Sequence, residues 1–211
     1  VFGEEFTLIK GKGFYDCTEG GITYEAGPQT FVQVNENVRG KLYDRALAFA
    51  DESDTVIDCY AGGGLLTAKF AKKCKKAYGI ETVPEAHDCA EAVKARNELA
   101  DNMENLCGKV EELLGGVLER EKDAVIVLDP PRAGVARSVL KLLLQAQVKK
   151  IVMISCDPAT LARDLGILTG ALVETETGEL VKASALGVQP DGKYAIQTVE
   201  PFDMFPQTKH V

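Results

Sequence analysis

The sequence of 211 residues lacks several features that would assign it to a well-known class. It has no apolar run close to the roughly 20 residues that a membrane-spanning helix needs. Its opening residues, VFGEEFTLIKGKG, do not combine a basic stretch with an apolar one as a signal peptide does. Its six cysteines include no CxxC pair, which argues against a zinc ribbon and a disulfide framework. We therefore expect a soluble protein of the reducing cytoplasm that binds no metal.

The chain also has few basic residues relative to acidic ones. It has 24 lysine and arginine residues and 32 aspartate and glutamate residues, which gives a formal net charge of −8. Binding to a nucleic-acid backbone requires clustered lysine and arginine. This balance speaks against a domain that binds nucleic acid unaided, but it is compatible with a catalytic domain that another module delivers to RNA.

Two patterns divide the chain near residue 34. Residues 1–34 contain short alternating stretches punctuated by glycine, which predict a β-rich lead-in. From Asn35 onward, apolar strand-like runs alternate with stretches of helical spacing, which predicts a doubly wound, mostly parallel α/β sheet. After Gly170 the pattern becomes β-rich again, and residues 171–186 and 193–205 are predicted to contain terminal strands.

Ligands of such sheets collect at the carboxyl ends of the strands, so the residues after each strand are candidates for a site. The stretch DCYAGGGLLT follows one strand, and its glycines either let the backbone approach a ligand or form a plain tight turn. A dinucleotide fingerprint would need a third glycine where Thr67 stands, which disfavours NAD. Glu81 ends the next strand, where a carboxylate either accepts hydrogen bonds from a ribose or is simply solvated.

Two further strand ends carry chemically distinctive residues. DPPRAG begins at Asp129, and its paired prolines predict a stiff loop. Cys156 follows a strand-like run, and the next two residues, Asp157 and Pro158, are typical of a helix N-cap and first helical position. The positive end of a helix dipole favours the thiolate form of a nearby cysteine. Although most cysteines only pack, this position predicts a reactive Cys156.

Together, the stretches FVQVN, DCYAGGGLLT, GIE, DPPRAG, SCDPATLARD and FDMFPQTKHV resemble the RNA uracil-C5 methyltransferase family. Members of this family use S-adenosylmethionine to make 5-methyluridine in ribosomal or transfer RNA, on a Rossmann-like fold. The resemblance runs from about Gly27 to Val211. It implies that residues 35–211 form a catalytic domain and that residues 1–34 belong to a preceding domain. We expect ribosomal RNA rather than transfer RNA as the substrate, and no obligate protein partner.

The resemblance also assigns roles to individual residues. Cys156 is the implied nucleophile, which adds to C6 of uracil so that C5 can accept a methyl group. The residues implied around S-adenosylmethionine are Gln33, Tyr60, Gly62, Glu81 and Asp129. Arg132, Arg137 and Arg163 could meet RNA phosphate or a carboxylate, and Arg163 could instead brace its helix.

The end of the sequence carries an expectation of its own. In the family, the terminal motif continues to a glutamate that removes the C5 proton, whereas this sequence stops at His210 and Val211. We therefore expect this catalytic-domain fragment to be inactive on its own. The iron-sulfur cysteines of the family lie upstream, so no cluster is expected here.

Two other functions are compatible with the same residues. Amino-methyltransferases that act on an adenine or glutamine nitrogen also use a D-P-P-[RYF] loop, which holds an exocyclic amine near the cofactor, and their chemistry needs no thiol. A domain that binds nucleotide or RNA without catalysis would also retain the glycine turn and the strand-end acids. An NAD-dependent dehydrogenase fits less well, because the glycine fingerprint is incomplete.

Overall fold

The computed structural model describes residues 7, 9–11, 15–26, 35–146 and 148–208. Within these ranges the strands are β1 (Tyr15–Glu19), β2 (Ile22–Ala26), β3 (Thr55–Cys59), β4 (Lys76–Glu81), β5 (Met103–Cys107), β6 (Val125–Leu128), β7 (Lys150–Met153), β8 (Leu172–Glu174) and β9 (Leu180–Lys182). The α-helices are α1 (Glu36–Leu47), α2 (Leu65–Lys73), α3 (Pro84–Arg96), α4 (Val110–Arg120), α5 (Arg137–Gln145) and α6 (Pro158–Leu168). A short 3-10 helix covers Ala183–Leu186. No helix in the described ranges is long and apolar enough to cross a membrane.

The central sheet has five strands in the order β5-β4-β3-β6-β7, and all four pairings are parallel. A helix connects each strand to the next in the chain, as parallel pairing requires. The strand order reverses between β3 and β6, and ligands of doubly wound sheets bind outside the carboxyl ends at such a reversal. The predicted doubly wound α/β fold is therefore confirmed.

Both faces of the sheet are buried. Successive residues of a strand point to opposite faces, so each strand contributes to two cores. One core combines alternate strand residues with residues of α1, α2 and α3, among them Val56, Ala77, Val127, Ala46, Phe70 and Val93. The other combines the remaining strand residues with α4, α5 and α6, among them Ile57, Ile80, Leu128, Leu114, Leu143 and Leu168. Burial on both faces explains the nearly continuous apolar runs in the sequence.

The antiparallel hairpin of β1 and β2 packs on the helices of the first core, where Ile22 and Tyr24 are buried. The Asn97 side chain exchanges two hydrogen bonds with the Thr23 backbone, at 2.8 and 2.7 Å. The hairpin agrees with the predicted β-rich lead-in. Residues 27–34 of the predicted lead-in lie outside the described residues, and the domain boundary at residue 34 stays a prediction.

A buried ion cluster anchors this hairpin to two helices. The Glu19 carboxylate bonds to the guanidinium of Arg39 on α1 and lies 2.9 Å from the Lys69 ammonium on α2. The Arg39 and Lys69 side chains are only 2% and 5% exposed. Tyr24 also accepts a hydrogen bond of 2.8 Å from Arg39. One carboxylate therefore serves two cations that are shielded from water.

The sequence pattern also predicts a helix from Pro84 to about Ala100 and a short strand near residues 105–110, and the observed boundaries of both elements differ. The helix from Pro84 was expected to reach about Ala100 but ends at Arg96, because the Asn97 amide caps the Val93 carbonyl oxygen at 2.7 Å and Glu98 takes a φ of +57°. The short strand predicted near residues 105–110 spans Met103–Cys107.

The prediction of terminal strands was only partly right. Residues 171–186 form the hairpin of β8 and β9 and then a 3-10 helix, but residues 193–205, all of them described, form no strand. The Lys193 ammonium binds the Ala146 carbonyl oxygen at 2.5 Å, and the Tyr194 hydroxyl binds the Leu143 carbonyl oxygen at 2.7 Å. The start of the segment is thus fixed by side-chain contacts to α5, and Glu200 further along pairs with Arg45 on α1. Alternating sequence predicts an extended backbone but does not supply a neighbouring strand to pair with.

We predict that Glu19→Ala destabilises the protein by about 3–5 kcal/mol, because it leaves two cations buried without their partner. The matched change on the same hairpin is Glu25→Ala, which removes a carboxylate bound to the exposed Arg96. Its effect should be much smaller, because exposed ion pairs contribute little. Urea denaturation of both variants measures the two losses. Equal losses would contradict the importance of the buried cluster.

Candidate active site

The carboxyl ends of the five central strands bring the candidate residues into one row. Along this edge lie Cys107 at the end of β5, Glu81 at the end of β4, Tyr60 after β3, Asp129 after β6 and Cys156 shortly after β7. Gly62 lies in the turn that follows Tyr60. The structure thus gathers the residues singled out from the sequence at one edge of the sheet, except Gln33, which lies outside the described residues.

The glycine turn after β3 depends on unusual backbone angles. Tyr60, Gly62 and Gly64 have φ values of +66°, +55° and +78°. A Cβ atom on Gly64 would come within 2.6 Å of the Ala90 Cβ atom, so glycine is needed there for packing. A Cβ atom on Gly62 would meet nothing within 4 Å. Gly62 therefore exposes its backbone to open space at the head of α2.

The Glu81 carboxylate is held in a fixed orientation. One oxygen accepts a hydrogen bond of 2.8 Å from the Gly62 N–H, and the other accepts one of 2.8 Å from the Val83 N–H. Each carboxylate oxygen can accept a further hydrogen bond. The side chain therefore links the glycine turn to the end of β4 and keeps acceptor capacity for hydroxyl groups of a ligand.

A second carboxylate, Asp58, lies beneath the turn and was not singled out from the sequence. It is 1% exposed and accepts a hydrogen bond of 2.6 Å from the Thr67 hydroxyl. Thr67 occupies the position of the missing third glycine, and Gly79 on β4 makes room for it, since a Cβ atom there would lie 3.1 Å from its hydroxyl oxygen. The feature of the sequence that could have pointed to Asp58 is a lone acid in the apolar strand TVIDC.

Burial alters the titration of Asp58 and its neighbours. Desolvation raises the pKa of Asp58 to about 7 against the effect of the Thr67 hydrogen bond, and the charges of Asp129 and Glu81 add to the rise. Desolvation likewise raises the pKa of Asp129 to about 6. Both carboxyl groups therefore titrate near neutral pH.

Two tyrosines flank these acids. Desolvation raises the pKa of Tyr60 to about 12. It also raises the pKa of Tyr43 on α1, where the carboxylates of Asp129 and Asp58 reinforce the effect. Both phenols are therefore protonated at neutral pH and can donate hydrogen bonds. Tyr43 was not singled out from the sequence, because a tyrosine among the apolar positions of a helix carries no distinctive signal.

Cys156 is exposed and lies between β7 and α6. The predicted cap is confirmed: Asp157 accepts hydrogen bonds from the N–H groups of Ala159 and Thr160, at 2.9 and 3.0 Å, and Pro158 is the first residue of the helix. Of the six cysteines, only Cys107 and Cys156 are exposed. Within the described ranges no cluster of three or more His, Cys, Asp or Glu side chains could hold a metal ion.

Two of the arginines named from the sequence are held by contacts within the protein. Arg163 on α6 donates to the Ala133 carbonyl oxygen of the DPPRAG loop at 3.0 Å. Arg137 on α5 donates to the Gly178 carbonyl oxygen at 2.8 Å and pairs with Glu174. These contacts support a bracing role for Arg163.

Comparison with known proteins identifies the family. Residues 15–177 match the family described as tRNA (uracil-5-)-methyltransferase. The chain belongs to this family. It is 36% identical over 214 residues to an uncharacterized RNA methyltransferase of Oceanobacillus iheyensis and, over the same length, to one of Clostridium tetani. Each alignment covers the whole chain but only 42% of the relative's length.

Solved structures agree with this membership. The tRNA (uracil-54, C5)-methyltransferase of Pyrococcus abyssi, determined in complex with S-adenosyl-L-homocysteine, superposes with a TM-score of 0.65 and 25% identity. The match covers 75% of this chain and 38% of that one. A SAM-dependent methyltransferase of Agrobacterium tumefaciens shares the fold, with a TM-score of 0.60, 13% identity and coverage of 77% and 60% of the two chains.

We predict that Asp58→Asn changes how stability depends on pH. Folded Asp58 keeps its proton up to about pH 7, whereas an unfolded aspartate loses it near pH 4. Between these values the folded state binds more protons, so this group lowers the free energy of unfolding as the pH rises. Relative to the parent, the variant should gain roughly 2–4 kcal/mol from about pH 4 to 7 in denaturation measurements.

Asp54→Asn provides the matched control for this experiment. Against desolvation, hydrogen bonds from the Asp51 N–H and the Lys149 ammonium lower the pKa of Asp54. That group stabilises the folded state above its unfolded pKa, so this variant should lose stability relative to the parent as the pH rises through about 4. If the stability of both variants relative to the parent changed in the same direction as the pH rises, a raised pKa for Asp58 would be contradicted.

Proposed function

We propose that this chain is the catalytic part of an enzyme that transfers a methyl group from S-adenosylmethionine to C5 of uridine in RNA. The observation that carries the proposal is the row of strand ends, with an exposed cysteine after β7, two partly desolvated acids at the centre and an oriented carboxylate at the end of β4. Membership of the uracil-5 methyltransferase family and the likeness to the Pyrococcus abyssi enzyme support it.

The residues present fit the proposed cofactor. The space beside the Gly62 Cα atom is open near the N-terminus of α2, and Glu81, which the Gly62 N–H orients, retains acceptor capacity for the two hydroxyls of a ribose. Asp129 adds a carboxylate at the centre of the row that is ionised above a pKa of about 6, which suits a cation. S-adenosylmethionine supplies a methyl group on positively charged sulfur. Tyr60 lies beside this region, and Gln33 remains a predicted contact outside the described residues.

The proposed reaction begins at Cys156, the nucleophile that the family resemblance implies, and its exposed position after β7 supports this role. Its thiolate attacks C6 of uracil, a bond forms between sulfur and C6, and the electrons of the C5–C6 double bond move to make C5 nucleophilic. C5 would then accept the methyl group near Asp129, and the bond from that group to the cofactor's sulfur would break, leaving neutral S-adenosylhomocysteine. A base must next remove the C5 proton, after which the bond between the Cys156 sulfur and C6 breaks and the double bond returns. The family resemblance assigns this last proton removal to a glutamate.

The identity of the RNA stays a prediction. Ribosomal RNA was expected from the sequence, whereas the family description and the Pyrococcus abyssi structure name transfer RNA. The chain spans 42% of the length of the curated relatives. We propose that contacts outside this length contribute to the choice of RNA, which is consistent with the net charge of −8.

Cys156→Ala tests the covalent step. In RNA containing 5-fluorouridine, C5 carries fluorine instead of a removable proton, so the methylated adduct cannot resolve even when a base is present. We expect the parent chain, given S-adenosylmethionine, to form a covalent RNA adduct that intact-protein mass spectrometry detects. Cys156→Ala should form none, while Cys107→Ala, which removes the other exposed thiol of the row, should behave like the parent.

The same experiment separates the rival functions. An amino-methyltransferase would methylate RNA without passing through a sulfur adduct, and a non-catalytic binding domain would bind RNA without transferring a methyl group. An adduct on Cys156→Ala, or methylation without any adduct in the parent, would refute the C5 mechanism.

Glu81→Ala tests the cofactor contact. Hydrogen bonds to a charged group contribute enough that we expect affinity for S-adenosylmethionine to fall roughly 10- to 100-fold in calorimetry. The matched control is Glu104→Ala on the neighbouring strand, where the carboxylate pairs with Lys76 away from the row. Its affinity should stay within about threefold of the parent. Equal losses in both variants would mean that Glu81 makes no specific contact.

A further inference from the structure

The DPPRAG loop and the helix that follows Cys156 are joined through one buried side chain. Asp164 on α6 is 1% exposed. One of its oxygens accepts a hydrogen bond of 2.8 Å from the Val135 N–H, and the other accepts one of 2.8 Å from Arg163 Nε. Asp164 therefore binds the loop backbone directly and orients the guanidinium next to it.

Arg163 completes the connection. Its Nη2 lies 2.6 Å from the Asp164 carboxylate and donates to the Ala133 carbonyl oxygen at 3.0 Å. Between these two anchor points, Gly134 has a φ of +78°, and a Cβ atom there would collide with the Arg163 guanidinium and lie 2.6 Å from Asp164. The loop backbone thus rests against the two side chains with no space for a side chain of its own. We refer to Arg163 and Asp164 together as the clasp.

The loop is stiff on the other side of the clasp as well. Pro130 and Pro131 restrict its backbone, and the Gly134 N–H closes a turn on the Pro131 carbonyl oxygen at 2.8 Å. A stiff loop that is fixed at residues 133–135 transmits that position back to Asp129. The clasp therefore sets where Asp129 lies relative to α6.

The clasp lies in the middle of α6, and the N-terminal end of this helix lies next to Cys156. The clasp is roughly two helical turns from Cys156, and a helix of this length behaves as a rigid rod. On the proposed function, Cys156 holds the uracil ring while the methyl group is presented beside Asp129. Transfer requires that the uracil ring and the methyl group are aligned with each other. A misplacement of about 1 Å can slow a reaction about 100-fold.

We infer that Arg163 and Asp164 are positioning residues that hold the Cys156 helix and the Asp129 loop at the separation that methyl transfer requires. This inference rests on the proposed function. It differs from a plain structural brace in one respect: loosening the clasp should slow methyl transfer more than it weakens folding or cofactor binding.

The test compares Arg163→Ala and Arg163→Lys with Arg96→Ala. Arg96 is the matched control, because it is similarly exposed and also binds carboxylates, those of Asp16 and Glu25, but joins α3 to the hairpin of β1 and β2. We would measure the rate of methylated-adduct formation on 5-fluorouridine RNA at saturating concentrations, the Kd for S-adenosylmethionine by calorimetry, and folding by circular dichroism.

We expect Arg163→Ala to slow adduct formation about 10- to 100-fold, with the Kd for S-adenosylmethionine within about threefold of the parent. The rate of adduct formation by Arg163→Lys should lie between the rates of Arg163→Ala and the parent, because an ammonium cannot bridge Asp164 and Ala133 as the guanidinium fork does. Added guanidinium ion at non-denaturing concentration should partly restore Arg163→Ala but not Arg163→Lys. Arg96→Ala should match the parent.

Each contrary outcome has a distinct meaning. If the parent forms no adduct, the proposed function fails and the positioning role fails with it. If the parent reacts but Arg163→Lys reacts equally fast, the positioning role is overturned and the function stands. If Arg163→Ala does not fold, Arg163→Lys decides the question, and an equal loss of rate and cofactor affinity in that variant would reduce the clasp to a structural brace.

Discussion

Parallel pairing of β3 with both β4 and β6 is the constraint on which the rest of the site depends. Parallel strands need long return connections, which here are helices, so every strand points its carboxyl end at the same edge. Residues far apart in the chain, such as Glu81, Asp129 and Cys156, are thereby placed on neighbouring strand ends. The reversal of strand order between β3 and β6 then opens the space in which a ligand can sit.

The same sheet that gathers the acids also removes water from them. Asp58 and Asp129 carry raised pKa values, about 7 and about 6, because helices cover both faces up to the edge. A cation bound beside them would favour their ionised forms and release protons. Binding of a positively charged cofactor would therefore be linked to pH in the range in which these groups titrate, whereas binding of a neutral product would be linked less strongly.

Signals from adjacent residues predicted much of this architecture. The features that depend on contacts between residues far apart in the chain could not be recognised from the sequence. Alternating strands and helices, and the cap formed by Asp157 and Pro158, can be recognised from adjacent residues, so both were predicted correctly. The role of Thr67 as donor to Asp58 depends on how α2 packs on β3, and the clasp depends on a loop distant from α6 in the chain. Residues 193–205 were assigned wrongly because alternation does not identify a pairing partner.

From β3 to β7, the exposure of the residues at the strand ends increases, which suits the sizes of the two proposed substrates. Asp58 at β3 is almost completely enclosed, Asp129 at β6 is partly covered, and Cys156 beyond β7 is open to solvent. A small cofactor can enter a covered crevice and gains from its low dielectric constant, which strengthens attraction to the carboxylates. An RNA strand cannot enter such a crevice, so its base must be met at the open end. The clasp lies between these two environments, where a covered loop and an exposed thiol must be held together.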